Sequence, residues 1–154
     1  MKYEKKETIN EIPIMNMPLC STYCEVIQVE TKDKQYIRCD PFDNHRKIFR
    51  KFASELGIEI LNTYQEEEFP KDSDYKLVGA GLCDIDIKAK EMYFFGWSGI
   101  YCIGINEEHL EKLKKQLPDW EIKSSKGLPD IISAQIDPNK KLQYLKILEN
   151  IWKL

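Results

Sequence analysis

Residues 76–105 read KLVGAGLCDIDIKAKEMYFFGWSGIYCIGI and decide the fold. They contain three short runs rich in β-branched and aromatic residues, separated by glycines and charged residues, which predicts neighbouring β-strands. Tyr93, Phe94 and Phe95 are apolar on both faces of their strand and therefore suit the interior of a sheet. In the first run, alternation places four apolar side chains on one face: Leu77, Cys83, Ile85 and Ile87. The stretch predicts a twisted antiparallel sheet that helices from elsewhere in the chain cover.

Further strand signals lie on both sides of this stretch. They predict a hairpin at residues 23–30 and 35–39, a strand at 58–62 and a short edge strand at 120–123. Glycines inside the central runs favour bulges or the close packing of large rings, both of which curve a sheet. Together these runs predict a mainly antiparallel sheet of six or seven strands.

Three helix signals complete the pattern. Asp40 is the predicted cap of the first helix, Pro41 suits its first position, and Gly57 is its predicted end. The buried face of this helix repeats at helical spacing: Ile48, Phe49, Phe52 and Leu56. Asn106 is the predicted cap of a second helix, and the pair at 137–138 (Asp-Pro) predicts the start of a third, C-terminal helix. Strands and helices in this order indicate the α+β class.

The length and composition of the chain fit one globular unit. A chain of 154 residues is long enough for one domain with its own core. Hydrophobic residues make up 42% and charged residues 32%, a balance typical of globular proteins rather than disordered ones. Pro13 and Pro18 interrupt the N-terminal residues. We therefore expect an irregular leader over residues 1–20 and a single α+β domain over residues 21–154.

Charge, hydropathy and cysteine content exclude several classes of protein. The net charge of −3 provides no overall basic field, so we expect neither nucleic acid nor a membrane as a partner. No apolar run approaches the length of a membrane span, and the N-terminus lacks the apolar block of a signal peptide. The five cysteines, an odd number without a secretion signal, predict reduced thiols. These features together predict a cytoplasmic protein.

Three of the cysteines and one histidine form a candidate metal site: Cys20, Cys24, Cys39 and His45. Three thiolates and an imidazole can bind zinc in a tetrahedral arrangement. However, the two-residue spacing of zinc knuckles is missing, and Cys24 and Cys39 fall inside predicted strands. We therefore interpret them as reduced thiols, without a metal or another cofactor, and keep zinc as the alternative.

A second candidate site lies at the charged end of the first central run. Asp84, Asp86 and Lys88 alternate along a strand, so their side chains project from the same face. The pattern resembles the acid-x-Lys half of metal-dependent nucleases of the restriction-endonuclease type. The resemblance implies a divalent ion held by these acids together with Asp74, and a lysine that stabilises charge at a phosphodiester. The alternative is the solvated end of an edge hairpin, whose charges prevent pairing with other sheets.

A third set of residues suits a protein-binding surface. Residues 65–74 form an acidic loop, and residues 96–99 (Gly-Trp-Ser-Gly) form a tight turn that can present aromatic side chains. The candidate binding residues are Trp97, Tyr101, Glu66, Glu67, Glu68, Asp72 and Asp74. Tryptophan and tyrosine commonly anchor interfaces, and carboxylates speed association with a basic partner. The alternative is that the aromatic rings return to the core.

Two functions follow from these patterns. The first, which we favour, is a small cytoplasmic binding protein without catalytic activity, such as a bacterial immunity-type inhibitor that covers a basic toxin domain. The second is a metal-dependent phosphodiesterase that uses Asp74, Asp84, Asp86 and Lys88. The chain contains only two histidines, which leaves few possible bases for nucleophilic catalysis by serine or cysteine.

Overall fold

A computed structural model of the protein describes residues 12–62 and 67–125. The predicted C-terminal helix, residues 1–11 of the predicted leader and Glu66 lie outside these residues. The elements in chain order are β1 (Thr22–Glu30), β2 (Gln35–Asp40), α1 (His45–Leu56), β3 (Leu61–Asn62), β4 (Glu67–Glu68), β5 (Lys76–Asp86), β6 (Glu91–Phe95), β7 (Trp97–Ser98), β8 (Ile103–Gly104), α2 (Glu107–Gln116) and β9 (Glu121–Ser124). Neither of these two helices has the length and apolar character that crossing a membrane requires.

The main sheet has five strands in the order β2-β1-β5-β6-β9. The pairs β1–β2, β1–β5 and β5–β6 are antiparallel, whereas β6 and β9 are parallel. Two short antiparallel pairs, β3–β4 and β7–β8, stand beside it as separate hairpins. The α+β class is therefore confirmed, but within the described residues the main sheet has five strands and not the predicted six or seven. The parallel pair at its edge was not predicted.

The two helices cover opposite faces of this sheet. The apolar face of α1 packs on one side, with Phe49 and Phe52 fully buried against Ile27 and Val29 of β1. Leu110 and Leu113 of α2 pack on the other side, in a second core cluster that contains Val26, Ile37, Cys83, Ile85 and Phe94. Burying a large apolar side chain contributes roughly 1.5–3 kcal/mol. Both sheet faces are therefore stabilised by buried side chains, which explains why β1 is buried over most of its length.

The helix ends agree with the sequence at Gly57 and Asn106 and differ at the start of α1, where Pro41 lies in the turn before the helix instead of at its first position. Gly57 ends α1 in the left-handed conformation, with φ of 71°. The Asn106 side chain caps α2 by accepting a hydrogen bond from the His109 amide. The prediction that Asp40 caps α1 is wrong, because its carboxylate accepts hydrogen bonds from the amides of residues 42 and 43. These bonds form a turn before the helix, and Asn44 provides the cap instead.

A β-bulge in β5 changes which side chains share a face. Gln28 of β1 pairs with Gly79, but the next residue, Val29, pairs with Leu77, so Val78 is an extra residue in β5. An extra residue reverses the alternation beyond it. Leu77 consequently packs in the cluster beneath α1. The prediction that it shares a face with Cys83 and the isoleucines after it is wrong for this reason.

A buried polar network holds the start of α2 at this bulge. Gln28, fully buried, donates from Nε2 to the Asn106 carbonyl at 2.9 Å, and its Oε1 accepts from the Asn106 amide at 2.7 Å. The ring of His109 lies 3.1 Å from Gln28 Nε2 and 3.0 Å from the Val29 carbonyl. The carbonyl can only accept, so Nε2 of His109 carries the proton and Nδ1 accepts from Gln28. Every polar group in this contact is satisfied, which buried polar groups require.

The first described residues run along the outer edge of β2. Met15 forms a parallel bridge with Ile37, whose amide donates to the Ile14 carbonyl at 2.8 Å. Arg38, 3% exposed, donates to the carbonyls of Pro13 and Ile14. Residues 12–20 contain no helix or strand, but these bonds tie them to the sheet and cover an edge that would otherwise offer unpaired amides.

Candidate functional site

An open groove of about 570 Å³ lies between the loop that precedes β5 and the β7–β8 hairpin. Its lining combines aromatic, aliphatic and charged side chains: Glu68, Phe69, Pro70, Lys71, Ser73, Tyr75, Lys76, Leu77, Tyr101 and Ile103. A volume of this size is within the range of ligand sites. The groove joins the acidic loop to Tyr101 and Ile103, which follow the predicted aromatic turn along the chain.

The floor of the groove is an aromatic cluster that α1 supports from below. Phe69 and Tyr101 are each 7% exposed, and both pack on Phe49 of α1, with ring centroids 4.6 and 5.9 Å away. Tyr75 contacts Phe69 at 6.0 Å and Tyr36 of β2 at 5.9 Å. Tilted ring pairs at these distances contribute about 0.5–1.5 kcal/mol each beyond their buried area. The floor is consequently held by the core of the protein and not only by its own loop.

Both walls are fixed by short hydrogen-bonded turns. In the loop, the Ser73 amide donates to the Pro70 carbonyl at 2.9 Å, and the Tyr75 amide donates to Ser73 Oγ at 3.1 Å. In the hairpin, the Cys102 amide donates to the Ser98 carbonyl at 2.8 Å, and Cys102 has a positive φ of 56°. A positive φ is unusual for a residue other than glycine and suits the tight corner of this hairpin. The aromatic floor therefore lies between two well-defined turns.

The charge around the groove is mixed, with an acidic excess on the loop. Residues 67–74 contain four carboxylates and one lysine. Asp72 and Asp74 are exposed but do not line the groove, whereas Lys71, Lys76 and Glu68 do. Burial is the main cause that raises the pKa of Tyr75, and the neighbouring Tyr36 raises this pKa as well. The phenol of Tyr75 is therefore neutral at physiological pH. The groove thus combines an uncharged aromatic floor with a rim of both charges.

The structure brings part of the predicted binding set together. Glu68 and Tyr101 line the groove, and Asp72 and Asp74 belong to its loop. Tyr101 lies in the turn between β7 and β8, and its ring is buried in the core cluster beneath α1 instead of projecting into solvent. Trp97 is half-buried on β7 opposite Gly104 and does not line the groove.

The remaining residues of that set add little to the site, and two important residues were not predicted. Glu67 pairs with Asn62 in the β3–β4 hairpin, and Glu66 lies outside the described residues. Phe69 and Tyr75 complete the floor, but neither was among the predicted binding residues. Their signal was present, because both are large aromatic residues beside an otherwise polar loop.

The predicted zinc ligands lie on different sides of the sheet. Cys24 and Cys39 are buried together with Cys83 in the cluster beneath α2, and Cys20 is exposed. A hydrogen bond with Cys39 and burial raise the pKa of the Cys24 thiol well above its usual range. His45 lies at the start of α1, on the other face, where its ring contacts Glu25 and the Gly81 carbonyl. The described part of the chain therefore does not bring this histidine to the thiols.

The predicted nuclease-like residues are also spread out. Asp74 precedes β5 and Asp86 ends it, so the whole strand of 11 residues, roughly 35 Å, separates them. Asp86 Oδ1 accepts a hydrogen bond from the Ala89 amide at 3.0 Å and so stabilises the turn that contains the exposed Lys88. Within residues 12–62 and 67–125, no three histidine, cysteine or carboxylate side chains gather closely enough to hold a metal ion.

No protein-family model matches the chain, and no curated protein matches it at a significant level.

Proposed function

We propose that this chain is a small cytoplasmic binding protein that acts through protein–protein contact at the groove and needs no cofactor. One observation carries the proposal: Phe69, Tyr75 and Tyr101 form an aromatic floor in an open groove beside an acidic loop. Binding energy in protein interfaces concentrates on a few aromatic or arginine contacts in pockets that exclude water, with a polar rim around them. The groove has both parts of this arrangement.

The finer form of the proposal is a bacterial immunity-type protein that covers a basic toxin domain. Exposed carboxylates at Asp72 and Asp74 support it, because they accelerate the approach of a positively charged partner. Lys71 and Lys76 on the groove wall then require carboxylates at matching positions of the partner. Such mixed rims fix the orientation of a partner more than they add affinity. An apolar side chain of the partner fills the groove itself.

The experiment that tests this function begins with the full-length chain as bait in a lysate of the organism that encodes it. Captured proteins are identified by mass spectrometry, purified and titrated against the chain to obtain a dissociation constant. Lys71→Trp, which places a bulky ring in the groove, should weaken binding at least tenfold. Asp74→Lys should slow association, most strongly at low ionic strength.

Two exposed residues outside the groove provide matched controls. Lys112→Trp on α2 and Asp119→Lys after α2 carry the same chemical changes and should leave the dissociation constant within about twofold. If the groove variants bind as tightly as the controls, the groove is not the binding surface and the proposal is wrong.

The alternative function, a metal-dependent phosphodiesterase, can be tested on the same purified sample. Elemental analysis that finds stoichiometric manganese, magnesium or zinc, together with phosphodiesterase activity that Asp86→Ala abolishes, would replace the binding proposal. In a binding protein, Asp86→Ala removes only the hydrogen bond to the Ala89 amide.

A further inference from the structure

A buried pair of ionisable side chains ties the first residue of α1 to two strands. Oε1 of Glu25 on β1 lies 3.2 Å from Nδ1 of His45, and Nε2 of the same ring lies 2.8 Å from the Gly81 carbonyl on β5. The histidine side chain is 1% exposed and the glutamate side chain 18%. The ring thus bridges β1 and β5 at the point where α1 begins.

The two contacts of the His45 ring, with Gly81 and with Glu25, each need a hydrogen between the paired atoms. A neutral histidine and a carboxylate together have only one such hydrogen. The Gly81 carbonyl can only accept, so Nε2 of His45 carries a hydrogen. A neutral ring has no second hydrogen, which leaves a lone pair on Nδ1 facing Glu25 Oε1, a buried oxygen with no other hydrogen-bond partner in the described residues. The contact becomes attractive only when an additional proton lies between these two atoms.

The surroundings place that proton on the carboxyl group. The pKa of Glu25 is raised to about 7, mainly because the carboxyl group is buried. The charge of Asp43 also raises this pKa, whereas a hydrogen bond from the His45 backbone amide lowers it. Burial lowers the pKa of His45 to about 4, opposed by its hydrogen bond to Gly81. Glu25 therefore donates an O–H to Nδ1, and the pair carries no net charge.

The other charged groups at this end lie around the pair. Asp43 and Asp40 belong to the loop before α1, and both lie within ion-pair distance of Lys51, which compensates their charge. Arg46 follows His45 in α1. On the sheet, Tyr23 lies two residues before Glu25 and opposite Asp84 of β5. The carboxylates favour retention of the proton, whereas the cations favour its loss.

We propose that Glu25 and His45 form a proton-operated latch, which fixes the start of α1 to the sheet and releases it when the shared proton leaves. Without that proton the ring has a single N–H, which can serve either the Gly81 carbonyl or the Glu25 carboxylate, but not both. One of the two ties is then lost. The latch is independent of the proposed binding function, because none of its residues lines the groove.

The direction of the response follows from the shift at Glu25. A carboxyl group whose pKa is raised in the folded protein favours folding at low pH, and this contribution is lost as pH rises through the raised value. The latch is therefore closed in weak acid and opens as the pH rises above about 7. Histidine normally switches interfaces in the opposite direction, on acidification.

Solution NMR of the full chain between pH 5.5 and 8.5 tests the latch. In the wild type, the chemical shifts of the His45 ring nitrogens should change with a midpoint near 7, as Glu25 loses its proton. Hydrogen-exchange protection of the Ile48 amide, which donates to Asn44 in the first turn of α1, should fall by up to about tenfold per pH unit above that midpoint, after correction for intrinsic exchange.

Two variants separate the proton from the contact. Glu25→Gln keeps an N–H donor toward Nδ1 without a titratable proton, so its latch should stay closed and its Ile48 protection should not fall as the pH rises through 7. Glu25→Leu offers no donor, so its protection should be low at every pH. If Glu25→Leu does not fold, the Glu25→Gln comparison decides alone.

Three results would overturn the inference. The first is a wild-type His45 ring and Ile48 protection that do not change with pH. The second is a Glu25→Gln variant that titrates like the wild type. The third is a parallel titration of the His109 ring, which lies in the other buried network and would assign the change to general loosening of the fold.

Discussion

Arg38 and Glu55 form a two-bonded ion pair between the edge strand β2 and the helix α1. Nε and Nη2 of the guanidinium donate to the two carboxylate oxygens at 2.9 and 3.0 Å. The same guanidinium stacks over the ring of Phe52, with its central carbon 4.4 Å from the centroid. Because other N–H groups of Arg38 bond the carbonyls of Pro13 and Ile14, one side chain joins the chain before β1, the sheet and a helix.

Replacement of this arginine should destabilise the protein more than an ordinary surface substitution does. Arg38→Met keeps the apolar stem but removes all of these hydrogen bonds, and we expect a loss of about 2–3 kcal/mol in the free energy of unfolding. Urea denaturation measures the loss, and faster hydrogen exchange at the Ile37 amide locates it. Glu55→Gln, at a site 36% exposed, is the milder comparison and should cost less. Equal stability of Arg38→Met and wild type would contradict this assignment.

Gly79 should not tolerate any side chain. A Cβ at this position would lie 2.0 Å from Gln28 Oε1 and 3.0 Å from Asn106 Cβ. Gly79→Ala therefore displaces the buried amide that holds α2, and we expect a destabilisation of about 2–4 kcal/mol in thermal or urea unfolding. Gly99→Ala provides the matched control, because a Cβ there meets nothing within 4 Å, and its effect should stay within about 0.5 kcal/mol. Similar losses in the two variants would contradict the proposed role of Gln28.

His109 should make the fold less stable in acid. Burial lowers its pKa to about 4, so between about pH 6.5 and 4 the unfolded chain binds a proton that the folded chain does not. Stability falls as the pH falls through this window, by an amount on the order of 3 kcal/mol at its acid end. His109→Gln keeps one donor and one acceptor but does not titrate, so its stability should depend less steeply on pH. Chemical denaturation at several pH values compares the two slopes.

The Glu25–His45 pair should contribute almost no slope over most of the same window. Between about pH 4.5 and 6.5, the raised pKa of Glu25 makes the folded chain bind a proton that the unfolded chain lacks, while the lowered pKa of His45 has the opposite effect. The two contributions cancel. Glu25→Gln should therefore add a loss of stability in acid, and a steeper acid slope in this variant than in wild type is the expected result. An unchanged slope would indicate that the pair does not share a proton.

The thiols should fall into two classes of reactivity. Cys20 and Cys102 are exposed, whereas Cys24, Cys39 and Cys83 are buried. Burial raises the pKa of the Cys83 thiol. A hydrogen bond with Cys39, together with burial, raises the pKa of the Cys24 thiol. A thiol that stays protonated is a poor nucleophile. Brief iodoacetamide treatment of the native protein, read by peptide mass spectrometry, should modify the first two and spare the others. The same treatment in urea should modify all five, and native modification of Cys83 would contradict the buried assignment.

Local features of the fold were predictable because their signals are contained in a few neighbouring residues. The hairpin predicted at 23–30 and 35–39 differs by one residue at two ends from β1 and β2, since alternation and turn residues are read directly from the chain. Gly57 and Asn106 end and begin helices as predicted, because each acts on its own backbone. The prediction of Asp40 as the cap was wrong because Asp40 and Asn44 both have side chains suited to capping. Asn44 directly precedes the first helical residue and caps the helix.

Features that depend on distant contacts were not predictable from these signals. The bulge at Val78 is one residue in length and leaves no mark on composition, yet it moves Leu77 to the other face of the sheet. The groove floor likewise joins Phe49, Phe69 and Tyr101 from three separate segments. The acidic loop and Tyr101 were both identified, but their convergence on one cavity depends on packing against α1, which no local pattern encodes.

The interior position of β1, between β2 and β5, has a consequence for biosynthesis. Its second partner, β5, begins 46 residues after β1 ends, so the middle of the sheet forms through contacts that are remote along the chain. Such topologies fold slowly. During translation, at about 5–20 residues per second, the hairpin of β1 and β2 waits seconds for β5 with one long edge open. A truncated product that ends before residue 76 keeps that edge permanently and should aggregate, which gives the cell a reason to degrade unfinished chains.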